Sequence, residues 1–347
     1  MFLESSDPQI FDPSPHIDRA RMHQAIREHF HRHNFLEVDA PILCAEPIPE
    51  AHIHLFHTQR THPDFEGIKL HLLPSPEAWL KRLLAAGAPS LFHIGKSFRN
   101  GEQLDQWHRL EFTMLEWYKL DVDSQANIHE MQNLLASCTQ ALGQNAKELC
   151  RPIRCFTMEE AFQEFAGFSL ESDLLEAGLG EEHEQHKARR RASSILQTRL
   201  KERSLPFEKS ENADDCFHRL FLTLVEDELP KDRPLALTHW PRLVPTLAKS
   251  LNGTPWSDRW ELYIKGVEVA NCYGEETNPS ALREYWDAEA ALMPTPHPQS
   301  NWPETVGGNL PECSGVAVGL DRLLALLRGD QGLGGLDLFP INDMIPR

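Results

Sequence analysis

The chain contains 347 residues, of which 25% are charged and 41% hydrophobic, and its formal net charge is -18. This length predicts one large domain or two ordinary ones. The acidic charge disfavours a polynucleotide substrate, because Lys and Arg neutralise phosphates and supply most of the affinity for nucleic acid.

Two further features predict where the protein works. Seven cysteines without a CxxC pair predict free thiols in a reducing compartment. The N-terminus lacks a basic region followed by an apolar core, and no apolar run approaches the roughly 20 residues that cross a bilayer. We therefore predict a cytoplasmic protein without a membrane partner.

The N-terminal segment predicts an arm followed by a helix. Residues 1–15 are rich in Pro, Asp and Ser, which is typical of irregular structure, and then Met22, Ile26 and Phe30 recur at a helical spacing of four. Four histidines accompany this helix without a carboxylate or cysteine at ligand spacing, so we predict a solvated helix face rather than a metal site. They are His23, His29, His31 and His33.

A strand, a helix and a second strand are predicted next. FLEVDAPIL, residues 35–43, favours a strand. PSPEAWLKRLLAAG predicts a helix with Pro76 in its first turn and Gly87 at its stop. The strand PSLFHIGKSF then leads into a polar loop that begins at Arg99.

The strand after this loop carries chemically useful side chains on one face. Phe112, Met114, Glu116 and Tyr118 share one parity in EFTMLEWY. An aromatic ring such as Phe112 can stack on a purine, and a buried carboxylate beside a phenol can hold an ammonium. An ordinary hairpin whose aromatic residues fill the core is the alternative interpretation.

The middle of the chain, from about residue 124 to 235, is helical and polar, and we interpret it as a helical insertion. Its charge run at 181–191 is typical of a solvated helix. Strands return in the last third. This order favours an antiparallel α+β domain with an insertion.

The segment WELYIKGVEVANCYGEE predicts two converging carboxylates. If Lys265-Gly266 forms a two-residue turn, Tyr263 pairs with Glu268, and Glu261 falls on the same face. Such carboxylates repel each other unless a cation lies between them, and Mg²⁺ with nucleotide phosphates is the natural candidate. A solvated sheet face is the alternative. Glu275 adds a third carboxylate nearby.

The segment SGVAVGLDRLLALL predicts a strand that leads into a helix. Gly315, Ala317 and Gly319 alternate on one strand face and leave room for a ligand or another backbone. Arg322 lies in the first turn of the helix after Asp321. A cation there opposes the helix dipole, which suggests a bound anion, although a small-residue strand under a helix is the alternative.

Together these segments resemble class II aminoacyl-tRNA synthetases, and the lysine-type catalytic domain in particular. FRN...H...EFTMLEWY, ELYIKGVEVAN...E and GVAVGLDRL are similar to motif 2, the metal and amino-acid segment, and motif 3, in the family's order, and FLEVDAPIL resembles motif 1. The resemblance implies a catalytic domain over residues 16–347, with an antiparallel sheet flanked by helices. It also implies a homodimer.

The resemblance assigns roles to individual residues. It places Arg99 on the α-phosphate of ATP, with Phe112 and Arg322 on either side of adenine and Arg322 also at the γ-phosphate, so that Arg99 and Arg322 are the catalytic pair. Glu261 and Glu268 would hold Mg²⁺. Further ATP contacts are implied for Glu102, His108, Arg109, Glu268, Val269 and Gly319. The implied contacts to the amino acid are Ser75, Glu77, Glu116, Tyr118, Asn271, Glu275 and Ala317.

Lysyl-tRNA synthetases carry an anticodon-binding OB-fold, for which residues 1–15 leave no room, so we expect no anticodon-binding domain and no tRNA partner. The chain instead resembles the stand-alone paralogues that activate (R)-β-lysine or lysine and attach it to a lysine side chain of elongation factor P. These paralogues have Ala where Ala317 stands and lysyl-tRNA synthetases have Gly. A shortened lysyl-tRNA synthetase, another amino-acid ligase and an inactive regulatory paralogue are the alternatives.

Three positions depart from the family pattern. The family usually has a glutamate directly after Arg-Asn or one place on, whereas Gly101 and then Glu102 follow here, and the loop from Arg99 to His108 is one residue longer. Arg109 replaces an asparagine expected near ATP, and Cys272 replaces a glycine.

Overall fold

The computed structural model describes residues 12–61, 67, 69–143, 148–181, 185–293 and 300–339. Most of the predicted N-terminal arm lies outside the described residues, and the first helix begins at Ser14. Within the described residues, no helix is both long and apolar enough to cross a membrane.

Helices and strands are numbered here in chain order. The elements are α1 (Ser14–Arg32), β1 (Leu36–Glu37), β2 (Leu43–Cys44), β3 (Phe56–Gln59), β4 (Lys69–Leu72), α2 (Glu77–Ala85), β5 (Leu91–Phe98), β6 (Glu111–Leu120), α3 (Ser124–Leu142), β7 (Arg154–Thr157), α4 (Met158–Ala161) with a π-helical turn (Phe162–Ala166), α5 (Leu170–Ala177), α6 (Gln185–Glu202), α7 (Ala213–Leu224), β8 (Leu235–Pro241), β9 (Trp256–Ile264), β10 (Val267–Gly274), α8 (Pro279–Leu292), α9 (Trp302–Gly307), β11 (Cys313–Gly319) and α10 (Leu320–Arg328).

An eight-stranded sheet carries the fold, with the strand order β1-β5-β6-β11-β10-β9-β8-β7. The six inner strands pair antiparallel, and the two edge strands, β1 and β7, pair parallel to their neighbours. A second sheet, β2-β4-β3, lies at residues 43–72. The α+β class with a largely antiparallel sheet flanked by helices is therefore confirmed.

Strand alternation separates a packed face from a functional face of the main sheet. Leu115 and Trp117 of β6 lie in an apolar core with residues of α1, α3 and α10. Met114, Glu116 and Tyr118 of the same strand point the other way. Helices α2, α8 and α9 pack with Tyr118 in a separate apolar cluster, whereas Met114 lines a cavity, so part of this face is available for polar chemistry.

The block predicted as a helical insertion is helical from α3 to α7, but it also holds strand β7, which joins the main sheet beside β8. Helix α3 packs in the sheet core, whereas α4 to α7 surround a separate apolar cluster that includes Phe162 and Phe217. The boundaries of the insertion stay a prediction.

Two sequence-based expectations near the N-terminus are wrong. FLEVDAPIL is not one continuous strand, since only Leu36–Glu37 and Leu43–Cys44 are extended in sheets. The histidine face is not wholly solvated: His29 is buried, and its Nε2 lies 2.7 Å from Oε1 of Glu130 on α3. His29 and Glu130 are 101 residues apart in the chain, so no local pattern indicated this contact.

The predicted free thiols are confirmed, because all seven cysteines are unpaired.

Candidate active site

The functional face of the sheet carries its polar residues in rows that cross the strands. The first row runs through Glu116 of β6, Ala317 of β11, Asn271 of β10 and Glu261 of β9, which are direct cross-strand partners in that order. Neighbouring side chains in such a row lie about 5 Å apart. Residues from distant stretches of the chain therefore meet on one surface.

A second row lies one pleat away and contains Tyr118, Gly315, Tyr273 and Arg259. A Cβ added at Gly315 would lie 2.4 Å from Cε1 of Tyr118 and 2.5 Å from Oε1 of Glu275. The space that the glycine leaves is thus filled by a phenol ring and a carboxylate, rather than by a ligand or another backbone. Gly315 allows these two groups to approach each other.

A cavity of about 420 Å³ opens over these rows. It brings together every predicted ATP and metal residue and two of the predicted amino-acid contacts. They are Arg99, Glu102, His108, Arg109, Phe112, Glu261, Glu268, Val269, Asn271, Ala317, Gly319 and Arg322.

The arginines of this cavity are held by few strong partners. The Arg99 guanidinium lies over the Phe112 ring, 5.4 Å from its centroid, and Nη1 lies 3.9 Å from Oε1 of Glu102. Its Nε is buried without a hydrogen-bond acceptor among the described residues. Arg322 donates to the carbonyl oxygens of Trp107 and Glu268 at 3.0 and 2.9 Å. Both guanidinium groups keep donors for an anionic ligand.

The polar loop between β5 and β6 is ordered by Asp105 and Arg109. Asp105 accepts hydrogen bonds from the backbone N–H groups of Trp107 and His108 and lies 2.8 Å from Nδ1 of His108. Arg109 donates through Nε and Nη2 to Asp337 at 3.0 and 2.8 Å. The residue that replaces the expected asparagine therefore fastens the loop to the C-terminal segment while also lining the cavity.

The predicted carboxylate pair lies on the hairpin of β9 and β10. Lys265 and Gly266 both have positive φ angles, 53° and 81°, as a two-residue turn requires, and Glu268 pairs with Tyr263. A bulge between Glu268 and Ala270 then shifts the register. As a result, Glu261 lies opposite Asn271, and both carboxylates face one cavity.

Glu261 is buried and already engaged. Its two oxygens accept hydrogen bonds from Arg259 at 2.5 Å and from the Tyr263 hydroxyl at 2.9 Å. Burial, opposed by Arg259 and reinforced by Glu268, raises the pKa of Glu261 to about 7. A second lone pair on each oxygen stays available, so a cation between the two carboxylates would relieve their repulsion.

The remaining predicted amino-acid contacts form a hydrogen-bonded cluster of largely buried side chains beside the cavity, on the Glu116 side of Ala317. Ser75 donates to Oε2 of Glu116 at 2.6 Å, and the Tyr118 hydroxyl donates to Oε1 at 2.7 Å. The Ser75 hydroxyl also accepts from the backbone N–H of Glu77 at the start of α2. We call this cluster the inner pocket: Ser75, Glu77, Lys81, Glu116, Tyr118 and Glu275.

Lys81 is the inner-pocket residue that the sequence did not reveal. It is fully buried, and its Nζ lies 2.5 Å from Glu77 and 2.6 Å from Glu275. Burial alone would lower its pKa, but Glu275 and Glu77 raise the pKa of Lys81 above its ordinary value. The only sequence signal was an i,i+4 Glu-Lys pair, which is equally typical of exposed helices.

The inner pocket holds more negative charge than positive. Burial and the proximity of Glu77 raise the pKa of Glu116 to about 8. Burial, with Lys81 acting against it, raises the pKa of Glu275 to about 7. These carboxyl groups are therefore poised to ionise fully when a further cation enters.

Sequence reasoning also missed Arg259 and a group on the far side of the cavity. Arg259 is buried beside Glu261, lies 4.3 Å from the centroid of the Trp240 ring, and has no acceptor for Nε or Nη1 among the described residues. Glu50 and Glu289 line the cavity wall from a loop and from α8. Neither segment carries a sequence pattern that indicates a site.

The chain is similar to known proteins over nearly its whole length. Residues 16–343 match the family described as tRNA synthetases class II (D, K and N). Proteins named elongation factor P–(R)-beta-lysine ligase are similar over nearly the whole chain. The protein from Vibrio cholerae serotype O1 is 32% identical over 330 residues, which are 93% of this chain and 94% of the relative.

Two further relatives carry the same name. The protein from Klebsiella pneumoniae subsp. pneumoniae is 31% identical over 98% of this chain and 99% of its own length. The protein from Salmonella dublin is 30% identical over 97% of this chain and 99% of its own length. The chain therefore belongs to the class II tRNA synthetase family of the D, K and N type, and it is an ATP-dependent amino-acid ligase.

Proposed function

We propose that this protein activates (R)-β-lysine, or lysine, with ATP to an aminoacyl adenylate and transfers the acyl group to a lysine side chain of elongation factor P. The names of the three relatives support the substrate and the acceptor. A homodimeric state and a cytoplasmic location belong to the same proposal.

The observation that carries the proposal is the charge of the inner pocket. Two carboxyl groups, Glu77 and Glu275, contact the ammonium of Lys81, and a third, Glu116, is hydrogen-bonded to Ser75 in the same cluster. Fully ionised, the four groups leave two negative charges, and a diamino acid supplies two ammonium groups. Buried charges need such partners, so a ligand with two cationic ends fits this pocket better than a neutral amino acid.

The reaction joins two anions, because the carboxylate of the amino acid attacks the α-phosphate of ATP and pyrophosphate leaves. Arg99 and Arg322 would screen this repulsion from either end of the cavity, and Phe112 would stack on adenine. No group on the chain needs to accept a proton in this step. Orientation and charge compensation can therefore supply most of the acceleration.

Glu261 and Glu268 fit Mg²⁺, since both are carboxylates on one cavity wall and the pKa of Glu261 is raised by its burial and by Glu268. Oxygen ligands of this kind suit a hard divalent cation. When bound, the ion would neutralise charge on the ATP phosphates. Arg259 and Tyr263 would keep Glu261 oriented toward it.

Amino-acid-dependent pyrophosphate exchange tests the proposal, with (R)-β-lysine and lysine compared side by side. Acyl transfer is then followed as a mass increase on elongation factor P, with tRNA charging as the parallel reaction. We expect exchange and transfer to the protein without tRNA charging. Charging of tRNA would support a shortened lysyl-tRNA synthetase, and absence of exchange with both amino acids would support an inactive paralogue.

Ala317→Gly is the matched variant for amino-acid selectivity, because Ala317 lies between Glu116 and Asn271 in the first row. Removing one methyl enlarges the pocket where the amino acid would lie. We expect the ratio of exchange rates for (R)-β-lysine and lysine to change by about tenfold, as one methylene-sized contact allows. An unchanged ratio would place the selectivity elsewhere.

A further inference from the structure

The active-site cavity has a wall that the activation of an amino acid does not use. Glu50, Tyr285 and Glu289 line the same cavity as Arg99 and Arg322, but they come from the loop before β3 and from α8. The main sheet contributes none of them. This wall, which we call the outer acidic wall, borders the reacting groups without belonging to the nucleotide or amino-acid contacts.

The backbone around Glu50 is fixed on three sides. The Glu50 carbonyl accepts a hydrogen bond from the Ile53 N–H at 3.0 Å, which closes a tight turn. The next N–H, of Ala51, donates to Oε2 of Glu289 at 2.8 Å. The His54 carbonyl accepts from the N–H of Asn100 at 2.7 Å, directly after Arg99. The loop that carries Glu50 is therefore hydrogen-bonded to the residue that follows Arg99.

The Glu50 carboxylate is itself unengaged: no side chain or N–H group of the described residues donates a hydrogen bond to it. Glu77 and Glu289 disfavour the ionisation of Glu50, whereas Arg99 and Lys81 favour it. Glu77 lies at the expected amino end of the amino acid and Arg99 at the expected α-phosphate. In the proposed reaction the acyl–phosphate bond of the adenylate would lie between those two groups, and Glu50 lines the same cavity as Arg99.

We propose that Glu50 is a catalytic residue of the transfer step, in which it accepts a proton from the ammonium of the incoming acceptor lysine, with Glu289 as its positioning residue. This inference rests on the proposed function, because it concerns the second half of that reaction. Negative charge on the outer acidic wall attracts the ammonium. The apolar side chains of Ile53, Val244 and Pro245 line the same cavity and suit the methylene chain of a lysine.

The step balances as follows. One proton of the acceptor ammonium passes to the Glu50 carboxylate, and the neutral amine attacks the acyl carbon. The C–N bond forms, and the bond from the acyl carbon to the phosphate oxygen breaks, so that AMP leaves with the electron pair. The second proton of the amine passes to solvent as the tetrahedral intermediate collapses.

The electrostatic setting of Glu50 suits this role. Burial and the neighbouring Glu77 raise the pKa of Glu50 to about 7, although Arg99 opposes the shift. A base with a pKa near the working pH is present in its ionised form and still binds a proton strongly. An ordinary glutamate would be a weaker base by more than two orders of magnitude.

The test compares two acceptors in Glu50→Gln after the adenylate has formed. Elongation factor P presents an ammonium that must lose a proton, whereas hydroxylamine is already neutral at the assay pH. We expect Glu50→Gln to slow transfer to the protein by about 100-fold or more. Hydroxamate formation and pyrophosphate exchange should stay close to the wild-type rates. Glu284→Gln, which removes an exposed carboxylate from α8, is the control and should behave as wild type.

The outcomes separate the two proposals. Equal loss with both acceptors would overturn the inference in favour of a structural role for Glu50, and unchanged transfer to the protein would overturn it outright. Failure of the wild-type protein to catalyse exchange would instead refute the proposed function, before any transfer is measured, and the inference would fall with it.

Discussion

The inner pocket and the end of the cavity that we propose for the nucleotide, here called the nucleotide end, hold their charged groups in opposite ways. In the inner pocket, Lys81 is fully buried and Glu116 and Glu275 are each 2% exposed. At the nucleotide end, the Arg99 and Glu268 side chains are 35% and 44% exposed. The inner pocket supplies its own counter-ion, whereas Arg99 and Glu268 stay partly in water.

The difference has an energetic consequence. Charges in the inner pocket interact through a low dielectric, so removing one of them leaves its partners uncompensated and the fold destabilised. Charges at the nucleotide end are screened by solvent until a ligand enters, so removing one of them affects catalysis and leaves stability nearly unchanged. Substitutions at the two ends should therefore separate stability from activity.

The largest effect on stability is expected for Lys81→Met. The variant removes the ammonium between Glu77 and Glu275 and should lower the free energy of unfolding by about 3–5 kcal/mol, as breaking a buried ion pair does. Denaturant unfolding measures the change. Lys249→Met, which breaks the exposed pair with Glu312, is the control and should cost no more than about 1 kcal/mol. Similar losses of unfolding free energy in both variants would contradict the role of Lys81 as a buried counter-ion.

At the nucleotide end, Arg99→Ala should lower pyrophosphate exchange by about 100- to 1000-fold, because in the proposed reaction this guanidinium would lie beside the transferring phosphate and act mainly on the transition state. Its unfolding free energy should stay within about 1 kcal/mol of wild type. Measuring exchange and unfolding on this one variant compares its effect on activity with its effect on stability. A large loss of stability would show that Arg99, like Lys81, is part of the packed core.

The pH dependence of stability sharpens the contrast within the inner pocket. The pKa of Glu116 is raised from 4.5 to about 8, so the folded protein keeps a proton that the unfolded chain loses. Stability should therefore fall as the pH rises from about 5 to 8, by at most about 1.4 kcal/mol per pH unit for this group. Thermal unfolding of Glu116→Gln against wild type isolates its share. If the stability of the two proteins changed with pH in the same way, the raised pKa of Glu116 would be contradicted.

The smallest effect is expected for Arg109→Ala. Arg109 fastens the loop to Asp337 through a pair whose side chains are 18% and 24% exposed. Losing such a pair should raise the KM for ATP less than about fivefold. Asp337→Ala should give the same change, since it removes the same pair. A loss as large as that of Arg99→Ala would make Arg109 a direct phosphate ligand.

Local patterns predicted much of the site because the relevant neighbours are close in sequence or fixed by strand period. The turn at Lys265-Gly266 sets the pairing of Tyr263 with Glu268, and alternation alone puts Glu116 and Tyr118 on one face. The bulge after Glu268 could not be predicted from the sequence, because a bulge depends on how the partner strand pairs. It changes which residue faces Glu261 without removing the carboxylate from the cavity.

Turn chemistry and hydrophobic periodicity are local properties, so the α+β class, the order of the motifs and the types of side chain in the candidate site could be predicted from the sequence. The tertiary structure alone decided which charges meet. Lys81 became the counter-ion of Glu275, Glu130 reached His29, and Glu50 came beside Arg99, each across a long stretch of chain. Coulomb energy and desolvation depend on distance and burial, and neither is written in a linear pattern.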